Sequence, residues 1–165
     1  MNHKKIKLLV HSAMWCALVF TATWFVIPTP LIGNVNLGDC MVLVGSVAIG
    51  GPWAILACSL GAALCDIVSG YTIYAPATLL IKAGMVLIVL LFHKMSQKKF
   101  TFCLSAVCAE LWMILGYFLY EALVLGYGFA ALANVPFNAI QGTVCTVLAV
   151  LVLQLLRKSG ILKNT

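Results

Sequence analysis

The sequence predicts an all-α integral membrane protein of six transmembrane helices, with both chain ends on the inner side. Three observations predict it. Hydrophobic residues make up 64% of the 165 residues and charged residues only 8%, against roughly 25% charged in a soluble domain whose surface must face water. The apolar residues form six runs broken by proline, glycine or basic segments, and a membrane helix takes about 20 residues. All of the ten Lys and Arg except Lys82 lie in the N-terminal tail, one short loop or the C-terminal tail.

This composition excludes a soluble globular enzyme. It also excludes disorder, which needs low hydrophobicity and high charge. Residues 1–165 read as a single six-helix domain, with no length left for a soluble ATPase. The net charge of +6 follows from membrane orientation rather than from nucleic-acid binding.

Helix 1 is expected from Ile6 to Ile27, ended by Pro28 and Pro30. The run is too long for the apolar core of a signal peptide, and no small-residue cleavage site opens onto a polar chain. A polar loop follows, from Pro28 to Asn36. Helix 2, from Asp39 to Gly50, has about 12 residues and cannot span without tilt or a thinned bilayer. Gly50-Gly51-Pro52 is a tight turn, with proline opening helix 3, where its missing N–H costs nothing. Helix 3 runs to Ser69. A loop carrying Tyr71 and Tyr74 leads to helix 4, Pro76 to Phe92. The basic loop His93–Lys99 precedes helix 5, Thr101 to Leu125. A glycine-rich loop, Gly126 to Val135, leads to helix 6, which starts at Pro136 and ends near Leu156. The loops after helices 1, 3 and 5 contain no Lys or Arg, which gives an N-in, C-in topology. The seven cysteines are scattered without a C-x-x-C and read as small, packable membrane residues rather than metal ligands or disulfides.

The acidic residues are four: Asp39, Asp66, Glu110 and Glu121. With Lys82, all lie in or at the edge of helices. A charge near the bilayer centre costs about 2.5–3.5 kcal/mol, so such groups face the bundle interior and mark a substrate or ion path. At a rise of about 1.5 Å per residue, Asp66 lies about 4–5 Å deep, Glu121 about 6 Å and Lys82 about 9 Å from the outer side. Asp39 begins helix 2 on that side, and Glu110 lies near the midplane. Four of the five therefore cluster in the outer half, which points to a polar cavity open outward rather than a pore.

Helices 5 and 6 support that cavity. Glu110, Tyr117 and Glu121 fall within about 40° of one another on helix 5 at about 100° per residue. Asn138 and Gln141 share one face near the outer end of helix 6. The outer loops add Tyr71, Tyr74, Tyr127 and Asn134. Aromatic surface with a few fixed polar groups suits a small ring-shaped ligand. Each group also has a plainer role. The tyrosines fit an interfacial belt, Asp39 after Gly38 fits a helix cap, and Lys82 fits a pair with Asp66 or Glu121. No nucleophile–base pair or H-E-x-x-H occurs.

Two stripes of small residues complete the reading. Ala13 and Ala17 on helix 1 form one, extended by Thr21. Ala54, Cys58, Gly61, Ala62, Cys65 and Ser69 on helix 3 form the other. Small residues let helix backbones approach closely. On helix 3 internal packing is expected, while helix 1 is open to internal or external contact.

An ordered set of segments carries a family resemblance across essentially the whole chain. They are Asn36-Leu37-Gly38-Asp39, Asp66-Ile67-Val68-Ser69-Gly70-Tyr71, and Tyr74-Ala75-Pro76-Ala77-Thr78 running into Ile81-Lys82-Ala83-Gly84. Glu110, Gly116-Tyr117-Phe118 with Glu121, and Asn138 with Gln141-Gly142 complete it. The chain resembles the substrate-binding S component of an energy-coupling factor (ECF) vitamin transporter of the riboflavin type, closest to hydroxymethylpyrimidine and pyridoxine S components. The resemblance implies a vitamin bound near the outer face, with its site on helices 4 to 6; the residues expected to bind it are Asn36, Asp39, Asp66, Tyr71, Tyr74, Lys82, Glu110, Tyr117, Glu121, Asn138 and Gln141. It implies a lid from the outer loops and docking through an A-x-x-x-A motif, here Ala13 and Ala17, on a transmembrane coupling subunit served by two ATPases. No cofactor is expected, and the chain has no phosphate-binding loop of its own, so ATP is expected to be used by the partners. No ligand-specific signature matches. The rivals are a stand-alone proton-coupled transporter using Glu110 and Glu121, and a membrane enzyme or assembly factor.

Overall fold

The structure is a computed structural model that describes residues 3–31 and 34–160. Ile32 and Gly33 of the first outer loop and Lys163 of the basic tail lie outside the described residues. Six α-helices follow in order: α1 (His3–Trp24), α2 (Gly38–Ile49), α3 (Gly51–Val68), α4 (Ala75–Met95), α5 (Lys99–Leu119) and α6 (Val135–Lys158). All except α2 are long and apolar enough to cross a membrane.

Three connections depart from the sequence reading. Helix α1 stops at Trp24, because Ile27 and Pro28 leave it to form a strand (β1) paired antiparallel with Asn34–Val35 (β2), Ile27 opposite Val35. The first outer loop is thus a short hairpin. At the other end of the bundle, α4 continues to Met95 and takes His93 and Lys94 into its last turn, where cations complement the exposed carbonyls. Helix α5 does not end in a simple loop either. It widens into a π-helical turn, Tyr120–Val124, and a 3₁₀ segment, Gly128–Ala133, leads into α6.

Why twelve residues suffice for α2 follows from its surroundings. It packs against α1, α3, α4 and α6, and Val42, Leu43 and Val44 are fully buried. It meets protein on all sides, so it need not match the thickness of the lipid. Gly45 makes room for it: a Cβ there would sit 2.9 Å from Cys58 Sγ and 3.2 Å from the Trp15 ring.

The small stripe of α3 is internal. Ala54, Cys58, Ala62 and Cys65 are fully buried, and a Cβ on Gly61 would lie 2.4 Å from the Cys16 carbonyl of α1. Leu56, Leu60 and Leu64, four apart on the opposite face, are exposed and meet lipid. Ala13 and Ala17 of α1 are exposed, between the buried Ser12, Trp15 and Val19. The end of α6 meets the α4–α5 turn, where an Arg157 guanidinium N–H donates to the Gln97 carbonyl (3.4 Å). This brings two of the basic segments to one end of the bundle, the inner side.

Candidate functional site

At the opposite end, polar side chains from α3, α4, α5 and α6 converge beneath the hairpin. Tyr74, Thr78 and Lys82 stand four apart, so they form one stripe on α4 and its leading turn. The Thr78 hydroxyl donates to Asp66 Oδ2 of α3 at 2.5 Å and lies 3.0 Å from the Tyr117 hydroxyl of α5. One turn deeper, the Lys82 ammonium pairs with Asp39 of α2 and stands 5.4 Å from the centre of the Tyr117 ring. The other Asp39 oxygen accepts from Gln141 Nε2 of α6 at 2.5 Å. Gln141 Oε1 in turn accepts the Asn36 N–H at 2.7 Å, which fixes the segment between the hairpin and α2.

A second cluster lies above. Glu121 Oε1 accepts from the Tyr74 hydroxyl (3.2 Å) and from Asn134 Nδ2 (2.9 Å). Burial, with the neighbouring Glu121 carboxylate, pushes the Tyr74 phenol up, so it remains a neutral donor. The π-turn presents Glu121: its wider i→i+5 bonding, seen in the Leu125 N–H to Tyr120 carbonyl contact (3.0 Å), is an irregularity frequent at functional sites. Asn134 Oδ1 accepts the Leu31 N–H of the hairpin loop at 3.4 Å.

These groups enclose a polar cavity with about 20 Å³ of solvent space, lined by Asn36, Asp66, Tyr74, Lys82, Tyr117, Glu121, Asn138 and Gln141 among the expected residues. Two atoms of lining residues, Glu121 Oε2 and Thr23 Oγ1, are buried without a hydrogen-bond partner among the described residues.

Two plainer readings of the sequence are corrected. Lys82 pairs with Asp39, not with Asp66 or Glu121. Asp39 makes no capping bond, because both of its oxygens are engaged by Lys82 and Gln141. It is fully buried behind the cavity and orients the two lining residues it holds. Besides Asp39, two more expected residues are not brought into the lining. Tyr71 stays in the turn before α4, its carbonyl accepting the Tyr74 N–H (2.8 Å). Glu110 lies against Gly142 and lines a separate apolar groove of about 300 Å³ between α5 and α6. Both Glu110 oxygens are buried without a partner among the described residues.

The lining also includes Thr23, Thr29, Asn34 and Thr78, which the sequence reading passed over, and Asn134. Thr78 was within reach, since it stands midway between Tyr74 and Lys82 at helical spacing. Thr23, Thr29 and Asn34 had no such signal, because the hairpin that carries the last two into place leaves no clear pattern in the sequence.

Comparison with known proteins fits this arrangement. The family profile described as "ECF-type riboflavin transporter, S component" matches residues 3–158. The chain belongs to this family of S components. No curated protein matches it. A solved structure described as the S component of a bacterial ECF transporter shares the fold, with a TM-score of 0.77 at 21% identity, covering 97% of this chain and 99% of that one. This S component is therefore a multi-pass membrane protein and a substrate-binding subunit of a vitamin transporter, with its polar cavity under the outer hairpin.

Proposed function

We propose that this S component captures a small, mostly neutral heteroaromatic vitamin or precursor, pyridoxine-like or hydroxymethylpyrimidine-like, from the outer side. An ECF coupling subunit and two ATPases then drive its uptake. The observation that carries this reading is Glu121 Oε2, a buried acceptor without a partner in the cavity wall, beside the rings of Tyr74 and Tyr117, whose centres are 6.3 Å apart. A ring bearing hydroxyl or amine donors satisfies that oxygen and rests on aromatic surface. Lys82, the one cation in the lining among the described residues, is already neutralised by Asp39, so a polyanionic ligand finds no unpaired positive charge there.

The solvent space of about 20 Å³ is room for little more than one water. A ring therefore requires the walls to part, and the long Leu31–Asn134 bond is a weak joint between the hairpin and the entry to α6. Exposure of Ala13 and Ala17 supports docking of the coupling subunit on α1. Mass spectrometry of small molecules that co-purify with the protein, followed by calorimetry on a vitamin panel, tests the proposal. A neutral pyridine or pyrimidine is expected to rank first; an anionic vitamin in that place contradicts it.

A second reading has one observation in its favour. Glu110, buried without a partner among the described residues, suits a proton site in a stand-alone carrier. Uptake by the isolated protein that survives ATP depletion but collapses with the proton gradient would select that reading.

A further inference from the structure

At the inner end of the bundle, the start of α5 and the end of α6 enclose a cavity of about 210 Å³. Its walls are mostly apolar: Phe102 and Leu153 are buried and Val150 is half-buried, with the half-buried Gln154 the one uncharged polar residue of the lining among the described residues. Its rim is cationic, formed by Lys99, Arg157 and Lys158. Val150 and Lys158 are eight residues apart on α6, so the cavity runs about 12 Å along the helix from apolar wall to charged rim. The positive-inside rule accounts for basic residues at this end of the molecule. It does not account for an apolar cavity beneath them.

The charges at the rim have no counter-ion among the described residues. No carboxylate there meets Lys99, Arg157 or Lys158, and Arg157 gives one N–H to the Gln97 carbonyl. All four acidic residues of the chain belong to the outer cluster or, as Glu110, to the middle of the bundle. A ligand that matches this site has an anionic head at the membrane interface and an apolar chain directed toward the bilayer interior.

We propose that this cavity binds an anionic phospholipid of the inner leaflet, its phosphate held by Arg157, Lys158 and Lys99 and an acyl chain against Phe102, Val150 and Leu153. Basic pockets between transmembrane helices on the cytoplasmic side are suited to such headgroups. An acidic peptide or a free phosphate would use the rim but leave the apolar walls without a function. This site is independent of the vitamin reading, since it lies at the other end of the bundle and shares no residue with the outer cavity.

The test uses the full chain in nanodiscs of equal phosphatidylglycerol and phosphatidylethanolamine, with bound lipid read by native mass spectrometry. The wild-type protein is expected to retain phosphatidylglycerol selectively. In Arg157→Gln/Lys158→Gln, which alters two residues at the end of α6, that selectivity is expected to fall about tenfold or more, with thermal unfolding unchanged. Soluble glycerol phosphate in excess is expected not to displace the lipid. Equal retention of both lipids by the wild type, or undiminished selectivity in the double variant, overturns the proposal. Displacement by glycerol phosphate does so as well, because it reduces the site to a phosphate contact without a chain.

Discussion

Gln141 Nε2 on α6 donates to Asp39 Oδ2 on α2 at 2.5 Å across 102 residues of sequence. Asp39 is thereby held from two sides, by an amide and by the Lys82 ammonium. Removing one partner of a buried ion pair leaves the other charge uncompensated, at about 3–5 kcal/mol, whereas replacing both by apolar groups is often near neutral. Lys82→Met and Asp39→Leu are each expected to lower stability by that order. The double variant is expected to lose much less than the sum. Thermal unfolding of the three variants in detergent measures it, and strictly additive losses would show that the pair is not coupled.

Glu121→Gln separates binding from stability. The amide keeps an oxygen for Tyr74 and Asn134, but it puts an N–H₂ donor in place of the unpartnered Oε2 of this lining residue. Ligand affinity is expected to fall at least tenfold, about 1.4 kcal/mol, with thermal unfolding little changed. Unaltered affinity by calorimetry would remove Glu121 from the site.

Ala13→Trp/Ala17→Trp tests the exposed stripe of α1. Because these side chains do not pack inside the bundle, folding and vitamin binding are expected to persist. Pull-down of the coupling subunit and ATP-driven uptake are expected to fail, since bulky rings hold helices apart. Retained pull-down would place docking elsewhere.

Gly61→Ala is a smaller change with a structural consequence. Its Cβ would meet the Cys16 carbonyl, a backbone atom that cannot swing aside. The α1–α3 contact must open, at about 1–3 kcal/mol if it behaves as an overpacked core. A lowered unfolding temperature is the expected readout, and an unchanged one would mean that α1 shifts freely on α3.

What was legible in the sequence was whatever rests on hydropathy and charge. The six helices, their order and the shortness of α2 follow from apolar runs broken by Pro28, Gly50 to Pro52, Pro76 and Pro136. The cluster of Asp66, Lys82, Tyr117, Glu121, Asn138 and Gln141 follows from the cost of burying polar groups in a bilayer. Pairing was less legible. Depth along each helix set Lys82 within reach of several acids, but the choice of Asp39 depends on α2 lying between α4 and α6, which no periodicity encodes. The hairpin of Ile27–Pro28 with Asn34–Val35 and the π-turn at Glu121 each depend on local backbone geometry. They escaped a reading built on regular helices and polar loops.

The brevity of α2 also bears on how the chain enters the bilayer. Twelve residues at about 1.5 Å each extend about 18 Å, well short of a hydrocarbon core of about 30 Å. As it leaves the ribosome, α2 alone is a poor substrate for the insertion machinery. Gly50 and Gly51, with φ of 70° and 60°, fold it back directly onto α3, and the two together form a helical hairpin apolar enough to partition as a unit. Insertion of α2 is therefore expected to depend on α3, the helix that follows it.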